Sequence, residues 1–517
     1  MIDATRYMDT ALPDCGFQAA INAAAEAGGA VVQLPAGRFE LDRYLFLRTG
    51  VTLRGRGPET VLTIAGQETR RDLSGDVPVG SNEAIVYGDL DGLAPGMVIF
   101  LWPGDDSAYH GGRVGQYKVK QINGSMIVLA KPNEHEIHAE DKPWVSWGLH
   151  TYLTCPAVKG EKAITVAHPE IFEVGHAVQV SGKGDSWGHH FNVITGIDGN
   201  KLELERPLTI DAEDSLVQHG FAMITADGEN NIAVEDLVIE GWRSPQMPRW
   251  VCLDFVFSAI HTVRCDEITV RNVEIRRWHS DGISIQKGVN CLVDECSVIG
   301  CRGRGFHPGS GFDGGEWTNL KAVGNELDGF YYCWNCTNIN VRDSLLKDNR
   351  GHGIGGLGDP GDRRATVSGN VIEGNGKSGI QINGGGTDSG TVIRGNVIRD
   401  NSRSQPGKWA GISIYPTGEP AGGYLIEDNT IASTLTEPTQ LVGIEERNGD
   451  PIRAEVWTGG KRVVDRIADG NVIRGNRFSG HIRADVIATG ADTSVSEGGD
   501  AKIIRKKGPR LNLNSGS

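Results

Sequence analysis

Seven short stretches of the chain share one pattern of apolar and polar positions, a glycine followed by apolar residues at every second place. Such alternation is typical of a β-strand, whose side chains point in turn to its two faces. The pattern therefore predicts seven short strands, each with a buried and an outer face. The stretches are DGISIQ (281–286), RGFHPG (304–309), DGFYYC (328–333), HGIGGL (352–357), SGIQIN (378–383), AGISIY (410–415) and VGIEER (442–447).

The spacing of these stretches predicts a repeat protein. The first four glycines are 23 to 24 residues apart, and the later ones are 26 to 32 residues apart. A second strand-like stretch follows in each unit, and asparagine recurs at 370, 396, 429 and 476. A period in the twenties built from short strands favours a parallel solenoid, wound in the right-handed sense. Apolar positions would stack into one core, and the asparagines would form a ladder at a turn. The predicted inward residues are Ile283, Ile285, Phe306, Phe330, Tyr332, Ile354, Ile380, Ile382, Ile412 and Ile414.

The N-terminal region adds a second signal. The stretch GFQAAINAAAEAGGAVVQLPAGRFELDRYLFLRTGVTLRGRG begins at residue 16 and predicts an Ala-rich amphipathic helix followed by strands. A solenoid needs a capped end, which this helix could supply. The stretch and the coils after Val234 resemble the pectate-lyase-like right-handed parallel β-helix superfamily, in which AIxAAxxAGGxVxLPAGxY is followed by SGVxLxGxG. The resemblance implies an all-β right-handed parallel β-helix. It leaves the reaction open, because this fold serves lyases, epimerases, hydrolases and tailspikes.

A duplication lies between these two parts. Residues 83–110 match 162–190, and 117–132 match 191–207, with a constant offset of 79 over the first pair. Asn-Gly at 123–124 and Asp-Gly at 198–199 are hairpin signals. We therefore predict two small antiparallel β modules inserted after the first coil. Their matched polar loops, with Asp106 and His110 in one and Asp185 and His189 in the other, would either reach over a substrate groove or form simple turns.

These signals divide the chain into four predicted parts. Residues 1–65 form the cap and first coil, and 66–225 form the inserted modules, at about 80–145 and 159–225. Residues 226–490 form the main β-helix, and 491–517 form a C-terminal tail.

Composition narrows the possible partners. The 517-residue chain has 72 glycines and a net charge of −15, and a protein that coats nucleic acid should instead be basic. No apolar run of about 18 residues predicts a membrane span. No signal peptide is visible at the start, so the chain would be cytoplasmic as written, or extracytoplasmic if a leader has been removed. No cofactor or metal motif is evident, although Asp clusters could hold Ca²⁺. The sequence does not define the oligomeric state.

The outward positions of two neighbouring strands carry the candidate chemistry. Counting from the glycines, His307 and Tyr331 should stand side by side on an exposed face. Pro308 cannot donate to the strand ladder, so a local irregularity is expected beside His307. Residues just before the glycines would add charges to this face, namely Asp281, Arg304, Asp328 and His352, which complete the catalytic candidates. The substrate-binding candidates are Gln286, Lys287, Arg302, Trp334, Gln381, Asn383 and Tyr415.

The first chemical hypothesis is removal of the C5 proton of a uronic acid by a lyase or epimerase. His307 and Tyr331 would be base and acid, and Arg304, Arg302 or Lys287 would neutralise the carboxylate. The site resembles mannuronan C5-epimerases, which carry Gly-Phe-Asp-Pro-His, Asp-Gly-Phe and x-His-Gly-Phe coils where this chain has GFHPG, DGFYYC and GHGIGG. VGIEERNGD (442–450) is also similar to that family's YGIQERNDG.

This chain departs from the epimerase pattern at four positions. The family has Asp at the position of His307, His at Gly309, Tyr at Arg304 and Asp at Cys333. The resemblance therefore implies the location of the site but not the same catalytic groups.

Two alternatives remain open. The stretches HSDGISIQ and GHGIGGLGD resemble the NTDG and GHG signatures of polygalacturonases. Glycoside hydrolysis would use Asp281 and Asp328, two coils or about 9.6 Å apart. The other alternative is a non-catalytic, glycan-binding or tailspike-like β-helix. We favour a carbohydrate-active enzyme whose partner is a polysaccharide or oligosaccharide, with lyase or epimerase chemistry ahead of hydrolysis.

Overall fold

The chain folds into a parallel β-helix, seen in a computed structural model that describes residues 1–64, 68–103, 115–180, 191–241, 254–455, 461–498, 500–506 and 508. Its coils stack three columns of parallel strands around one core. The predicted all-β fold, with a capping helix and two inserted antiparallel modules, is confirmed. The domain boundaries stay a prediction.

The first column is a twelve-stranded parallel sheet, which we call the groove sheet. It contains all seven strands that the glycine pattern predicts. Its strands, in spatial order, are Leu45–Phe46, Ile224–Asp227, Ile260–Val263, Ile283–Gln286, Phe306–Gly309, Phe330–Tyr331, Ile354–Leu357, Ile380–Ile382, Ile412–Ile414, Val442–Glu446, Ala484–Ala488 and Ile503–Arg505.

The other two columns are joined into one 22-stranded sheet, because two long strands, Asn230–Glu240 and Asp266–Arg276, run through both columns. One column adds Ile2–Asp3, Val31–Gln33, Thr52–Arg54, Val289–Asp294, Asp313–Thr318, Thr337–Arg342, Thr366–Ser368, Val392–Arg394, Leu425–Glu427, Val472–Arg474 and Ser494–Ser496. The other adds Gly37–Leu41, Thr60–Ile64, Ser297–Ile299, Lys321–Val323, Leu345–Lys347, Val371–Glu373, Val397–Arg399, Thr430–Ala432 and Arg477–Ser479.

The core lies between the three columns. Every inward residue predicted from the alternation is at most 1 % exposed. Burial of large apolar side chains contributes about 1.5–3 kcal/mol each, so a continuous column of them can hold the coils together.

Two buried rows of polar side chains fix one coil onto the next. In one row, which begins at Asn325, the residues Asn349, Asn375, Asn401 and Gln440 each accept from the side-chain amide of the member before. In the other, which begins at Asn370, the residues Asn396, Asn429 and Asn476 do the same, and Glu497 accepts from the last. The predicted asparagine ladder is present in this second row. Because each side chain also bonds a backbone carbonyl, these buried amides have their hydrogen bonds satisfied.

The helix Phe17–Glu26 covers the first coil. Its buried face is Phe17, Ala20, Ile21 and Ala24, and the ring of Phe17 meets Phe39 edge-on at 5.0 Å. This helix joins the N-terminal end of the stack to the main core. No helix in the described ranges is long and apolar enough to cross a membrane.

The inserted modules are two six-stranded antiparallel sheets with the same strand order, as expected for a duplication. The first contains Thr69–Asp72, Trp144–Trp147, Val98–Trp102, Gly115–Asn123, Met126–Leu129 and Glu83–Ile85. The second contains His150–Tyr152, Leu216–Gln218, Ala177–Val180, Phe191–Asp198, Lys201–Leu204 and Ala163–Thr165. Residues 104–114 and 181–190, which contain the matched Asp and His residues, lie outside the described residues. A hairpin, Gly449–Glu455 with Lys461–Arg466, and four short 3-10 helices, Ala4–Arg6, Ala139–Asp141, Pro169–Ile171 and Asp254–Phe257, complete the description.

Candidate functional site

A groove of about 910 Å³ runs over the outer face of the groove sheet. Its floor is made by outward residues of consecutive strands, namely Tyr331, Gly356, Gln381, Ser413 and Glu445. One rim is made by residues that precede the strands, Arg304, Asp328, His352, Lys377 and Trp409. The opposite rim is made by residues that follow them, including Asn383, Tyr415, Thr417, Arg447 and Asn448. Seven of the thirteen predicted site residues line this groove: Arg304, Asp328, Tyr331, His352, Gln381, Asn383 and Tyr415.

A backbone bulge deepens the groove beside Tyr331. Ile354 and Leu357 pair with Ile380 and Ile382, so one strand has an extra residue. Gly356 takes up this residue with φ +68°, a conformation that favours glycine. Simple alternation places Leu357 on the outer face, and the bulge instead turns it into the core, where it is 1 % exposed.

The glycine pair at this bulge leaves room for two functional side chains. A Cβ on Gly355 would lie 2.6 Å from the Asp328 carboxylate, and one on Gly356 would lie 2.7 Å from the Tyr331 ring. Phe306–Gly309 pairs in register with the preceding strand Ile283–Gln286, but its pairing with the following strand is reduced to Phe306 with Phe330, so the ladder is interrupted beside Pro308 as expected. The bulge at Gly356 is a second irregularity, two strands further on.

Tyr331 is the first member of a hydrogen-bonded chain at the groove floor. Its hydroxyl donates to Asp359 Oδ2 at 3.0 Å, and Asn383 Nδ2 donates to Asp359 Oδ1 at 2.8 Å. Gln381 Nε2 in turn donates to Asn383 Oδ1 at 3.1 Å. Asp359 is only 5 % exposed, so the groove reaches this carboxyl through Tyr331 and Asn383.

Burial is the main cause of the pKa shifts of Asp359 and Tyr331. It raises the pKa of Asp359 to about 6, although the hydrogen bonds from Asn383 and Tyr331 and the charge of Arg304 act to lower it. Burial, followed by the charge of Asp359, raises the pKa of Tyr331 well above its ordinary value. Tyr331 is therefore a neutral phenol at physiological pH, beside a carboxyl that can hold or release a proton near neutrality.

Arg304 brings a positive charge to the same point. Its guanidinium carbon lies 4.2 Å from the centre of the Tyr331 ring, which is cation–π contact. Its Nη1 lies 3.6 Å from Asp281 Oδ2, and its backbone N–H donates to Asp281 Oδ1 at 2.6 Å. Asp281 therefore holds both the backbone and the side chain of Arg304 against Tyr331.

His307 stands beside Tyr331 as predicted, but it is not on an exposed surface. The two rings are 5.1 Å apart at 83°, and His307 is only 2 % exposed. Its Nδ1 lies 2.7 Å from Asp281 Oδ2. Phe255 packs edge-on against the other part of the ring at 5.4 Å. This is a correction to the sequence prediction, because a base at this position has no open path to the groove.

Asp281 is also buried and does not line the groove. Its exposure is 0 %, which rules out the direct substrate contact that the hydrolase hypothesis gave it. Burial acts to raise the pKa of Asp281, but the charge of Arg304 and the hydrogen bond and charge of His307 outweigh it, so the pKa lies below its ordinary value. The carboxylate is a buried partner for Arg304 and His307.

Asp328 and His352 lie next to each other on the rim. Asp328 Oδ1 accepts from the backbone N–H of His352 at 2.6 Å, and the other oxygen lies over Gly355. His352 Nδ1 accepts from the backbone N–H of Ser378 at 3.2 Å. Because a backbone N–H can only donate, the neutral ring carries its proton on Nε2. His352 is thus a donor rather than a base.

Four predicted substrate-binding residues lie off the groove lining within the described part of the chain. Gln286 has 0 % exposure and donates to Ser284 Oγ at 2.9 Å, so it cannot touch a substrate. The Arg302 guanidinium lies 5.6 Å from the ring centre of Trp102, in the first inserted sheet, and Trp102 stacks on Trp144 at 4.5 Å. Lys287 and Trp334 are half-buried at the edges of their strands.

Several groove residues were not among the sequence candidates. Asp359 is the most informative, and the bulge that places it could not be recognised from the alternation. Lys377 and Trp409 lie two residues before Gly379 and Gly411, one place earlier than Arg304 and His352 lie before their own glycines. Extending the count before each glycine by one residue could have found them. Among the described residues, no group of three or more His, Cys, Asp or Glu side chains could hold a metal ion.

The fold and groove together define a right-handed parallel β-helix protein. The family model for the right handed beta helix region matches residues 258–431, which span the groove sheet from the strand Ile260–Val263 to beyond the strand Ile412–Ile414. This match confirms the handedness and the superfamily resemblance that the sequence predicted.

Three solved structures of other proteins are similar to this chain. The DFA-IIIase from Arthrobacter chlorophenolicus A6, in complex with GF2, is 11 % identical with a TM-score of 0.50, over 100 % of this chain and 98 % of that one. The A-module of mannuronan C-5 epimerase AlgE4 from Azotobacter vinelandii is 14 % identical with a TM-score of 0.45, over 96 % and 100 % of the two chains. The Streptococcus pneumoniae surface protein and adhesin PfbA is 10 % identical with a TM-score of 0.43, over 99 % and 98 %. A search of the curated proteins finds no match.

Proposed function

We propose that this chain is a carbohydrate-active enzyme that moves a proton at the carbon next to the carboxylate of a uronic acid, as a lyase or an epimerase. The observation that carries the proposal is the hydrogen bond at 3.0 Å between Tyr331, at the groove floor, and the buried Asp359, whose pKa burial raises to about 6. A general acid works best when its pKa lies near the working pH.

The groove supplies the three groups that this chemistry needs. Arg304, with the Nε2–H of His352, neutralises the sugar carboxylate and makes the adjacent C–H acidic. The Asp328 carboxylate, which faces the glycine notch, takes the C5 proton. When Asp359 is protonated, its O–H donates to the Tyr331 oxygen across the same contact. Tyr331 then gives its hydroxyl proton to the sugar and receives one from Asp359, so no free phenolate has to form.

The bonds balance in both versions of the reaction. The C5–H bond breaks, its proton passes to Asp328, and its electron pair enters the carboxylate-stabilised anion. In a lyase, that pair then forms the C4–C5 double bond, the C4–O bond breaks, and the departing oxygen takes the proton from Tyr331. In an epimerase, the Tyr331 proton instead forms a new C5–H bond on the opposite face.

The His307–Asp281 pair has a positioning role in this scheme. His307 packs against the Tyr331 ring, and Asp281 holds Arg304 over that ring. Both side chains act through Arg304 and Tyr331 and do not touch the sugar.

One observation favours glycoside hydrolysis as a second candidate. Asp328 lines the groove, while the nearby Asp359 is buried with a raised pKa. Two carboxyls in such different environments are typical of the acid and base pair of a glycosidase. Hydrolysis would use Asp359 as the acid, through Tyr331, and Asp328 as the base.

A panel of uronate-containing and neutral glycans separates these functions. New ultraviolet absorbance from an unsaturated uronate indicates a lyase, and deuterium incorporation at C5 without chain cleavage indicates an epimerase. Reducing ends without ultraviolet absorbance indicate a hydrolase. Binding without any of these would refute the enzymatic proposal.

The variant Tyr331→Phe removes one hydroxyl and keeps the ring that Arg304 packs on. We expect a loss of kcat of about 10²–10⁴-fold, the usual contribution of a proton-transfer group. Tyr87→Phe is the matched control, since that tyrosine is 65 % exposed next to the strand Glu83–Ile85. Full activity of Tyr331→Phe would remove Tyr331 from the mechanism.

A further inference from the structure

The outer face of the groove sheet divides into two halves at Tyr331. On the C-terminal side, the outward residues form the groove floor. On the N-terminal side, the outward row is Thr225, His261, Ser284 and His307, and each of these is at most 5 % exposed. Outward residues are largely buried on both sides of Tyr331, since Ser413 and Glu445 are only 3 % and 4 % exposed, but among the described residues only those on the C-terminal side line the groove.

Phe255 is the described side chain that covers this N-terminal half. Its ring lies 5.9 Å from the ring of His261 and 5.4 Å from that of His307. Those two histidines flank Ser284 in the row, so the phenyl ring lies across Ser284, whose exposure is 0 %.

The short 3-10 helix Asp254–Phe257 is firmly held. Phe257 is 1 % exposed in the core, and its carbonyl accepts from the Trp278 indole N–H at 2.6 Å. Two residues later, the backbone N–H of Ala259 donates to Asp281 O at 3.1 Å. The backbone that carries Phe255 is thus anchored, and the ring lies on the outward row just beyond the N-terminal end of the groove lining.

The groove is strongly asymmetric about Tyr331. Its lining extends from Arg304, just before the strand Phe306–Gly309, to Lys506, just after the strand Ile503–Arg505. At about 4.8 Å for each strand, only about 5 Å lies on the Phe255 side of Tyr331 and about 29 Å lies on the other side. Within the described residues, the groove therefore gives a sugar chain room to extend in one direction only.

The part of the groove from Tyr331 to Lys506, which we call the long arm, carries side chains that would contact an anionic sugar chain. Lys377, Arg447 and Lys506 lie along it, and Trp409 and Tyr415 stand on its two rims. Arg466 packs on Tyr415 at 4.5 Å from the ring centre, which fixes that ring. Aromatic faces stack on sugars, and cations attract uronate carboxylates.

We infer that the protein acts at the end of an anionic sugar chain, with Phe255 as the end wall that stops the chain beyond Tyr331. This inference rests on the proposed function for the reacting groups and adds the mode of action. The terminal sugar lies between Phe255 and the glycine notch, and the remainder of the chain lies along the arm towards Lys506.

Binding tests this inference separately from turnover. Uronic-acid oligosaccharides of graded length, unblocked or carrying a bulky group at one end, are titrated into the full chain by calorimetry. We expect tenfold or greater loss of affinity when one particular end is blocked, and little change when the other end is blocked. Equal affinity for all three, or no binding to any of them, would overturn the inference, even if the protein turns over another glycan.

Turnover gives the second measurement. With a chain labelled at one end, wild-type protein should change the terminal sugar first, so one product dominates from the earliest times. A random ladder of internal products would refute the chain-end mode while leaving the proposed chemistry intact.

The variant Phe255→Ala should admit the blocked end and allow internal sites to react. Phe39→Ala is the matched control, because Phe39 is equally buried at 8 % exposure but lies in the N-terminal cap. If Phe255→Ala fails to fold, the end-block measurements on wild-type protein still decide the question.

Discussion

The buried carboxyl of Asp359 should make the stability of the whole chain depend on pH. Its pKa rises from an ordinary 3.8 to about 6 on folding. Between these values the folded state binds more protons than the unfolded state, so the free energy of unfolding falls as pH rises. The loss of stability caused by ionising Asp359 is absent below about pH 4 and complete above about pH 6. At about 1.4 kcal/mol for each pKa unit, it amounts to about 3 kcal/mol.

The variant Asp359→Asn removes this titration and keeps the shape of the side chain. We expect the stability of the variant relative to wild type to improve by about 3 kcal/mol between pH 4 and pH 7. Urea unfolding at both pH values measures this, and taking the difference cancels any effect of the substitution that does not depend on pH. Asp388→Asn is the control, because that side chain is exposed.

The same titration bears on activity. If Asp359 must be protonated to supply Tyr331, kcat should fall as pH rises through about 6. A stability difference between Asp359→Asn and wild type that is equal at pH 4 and pH 7 would refute the raised pKa. A kcat that instead rises through pH 6 would mean that ionised Asp359 is the working form, and would refute the direction of proton transfer.

Three further predictions follow from the same contacts. Gly356→Ala should lower the free energy of unfolding by about 2 kcal/mol or more, and should lower kcat, because it strains a residue at φ +68° and pushes on the Tyr331 ring. A melting temperature equal to that of wild type would contradict this. Asn375→Ala should lower the free energy of unfolding, measured in urea, by about 3 kcal/mol, since it leaves the buried N–H groups of Asn349 without an acceptor. The control is Asn123→Ala, at an exposed position. Arg304→Lys should lower kcat/KM about tenfold or more, because a lysine keeps the charge but loses the planar stack on Tyr331; an unchanged value would show that charge alone suffices.

The architecture could be predicted because it repeats. Each Gly-Ile-x-Ile unit has the same alternation of apolar and polar positions. The inward position of residues such as Ile283 and Ile412 is therefore supported by every other unit of the repeat. The asparagine row was visible for the same reason. The neighbouring positions of His307 and Tyr331 also followed directly from counting along the strands.

The site could not be predicted completely because it lies where the repeat breaks. One extra residue at Gly356 turns Leu357 inward, and no periodic argument anticipates this change. Burial was the second obstacle, since Phe255 covers His307 from a segment far outside the counted strands. The contact between Arg302 and Trp102 joins the coil to an inserted sheet, and such long-range packing leaves no local pattern in the sequence.

The asparagine rows have a consequence for how such a molecule can change over evolution. Successive members are 24 residues apart at Asn325 and Asn349 but 39 apart at Asn401 and Gln440, and yet they keep the same bonds. The additional residues between Asn401 and Gln440 include the loop that carries Trp409, and the hairpin after Asn448 lies between Asn429 and Asn476 of the second row, which are 47 residues apart. One corner of the stack therefore holds the register, while the loops that would meet a sugar can lengthen without disturbing it. New specificities can arise on this scaffold at little risk to its folding.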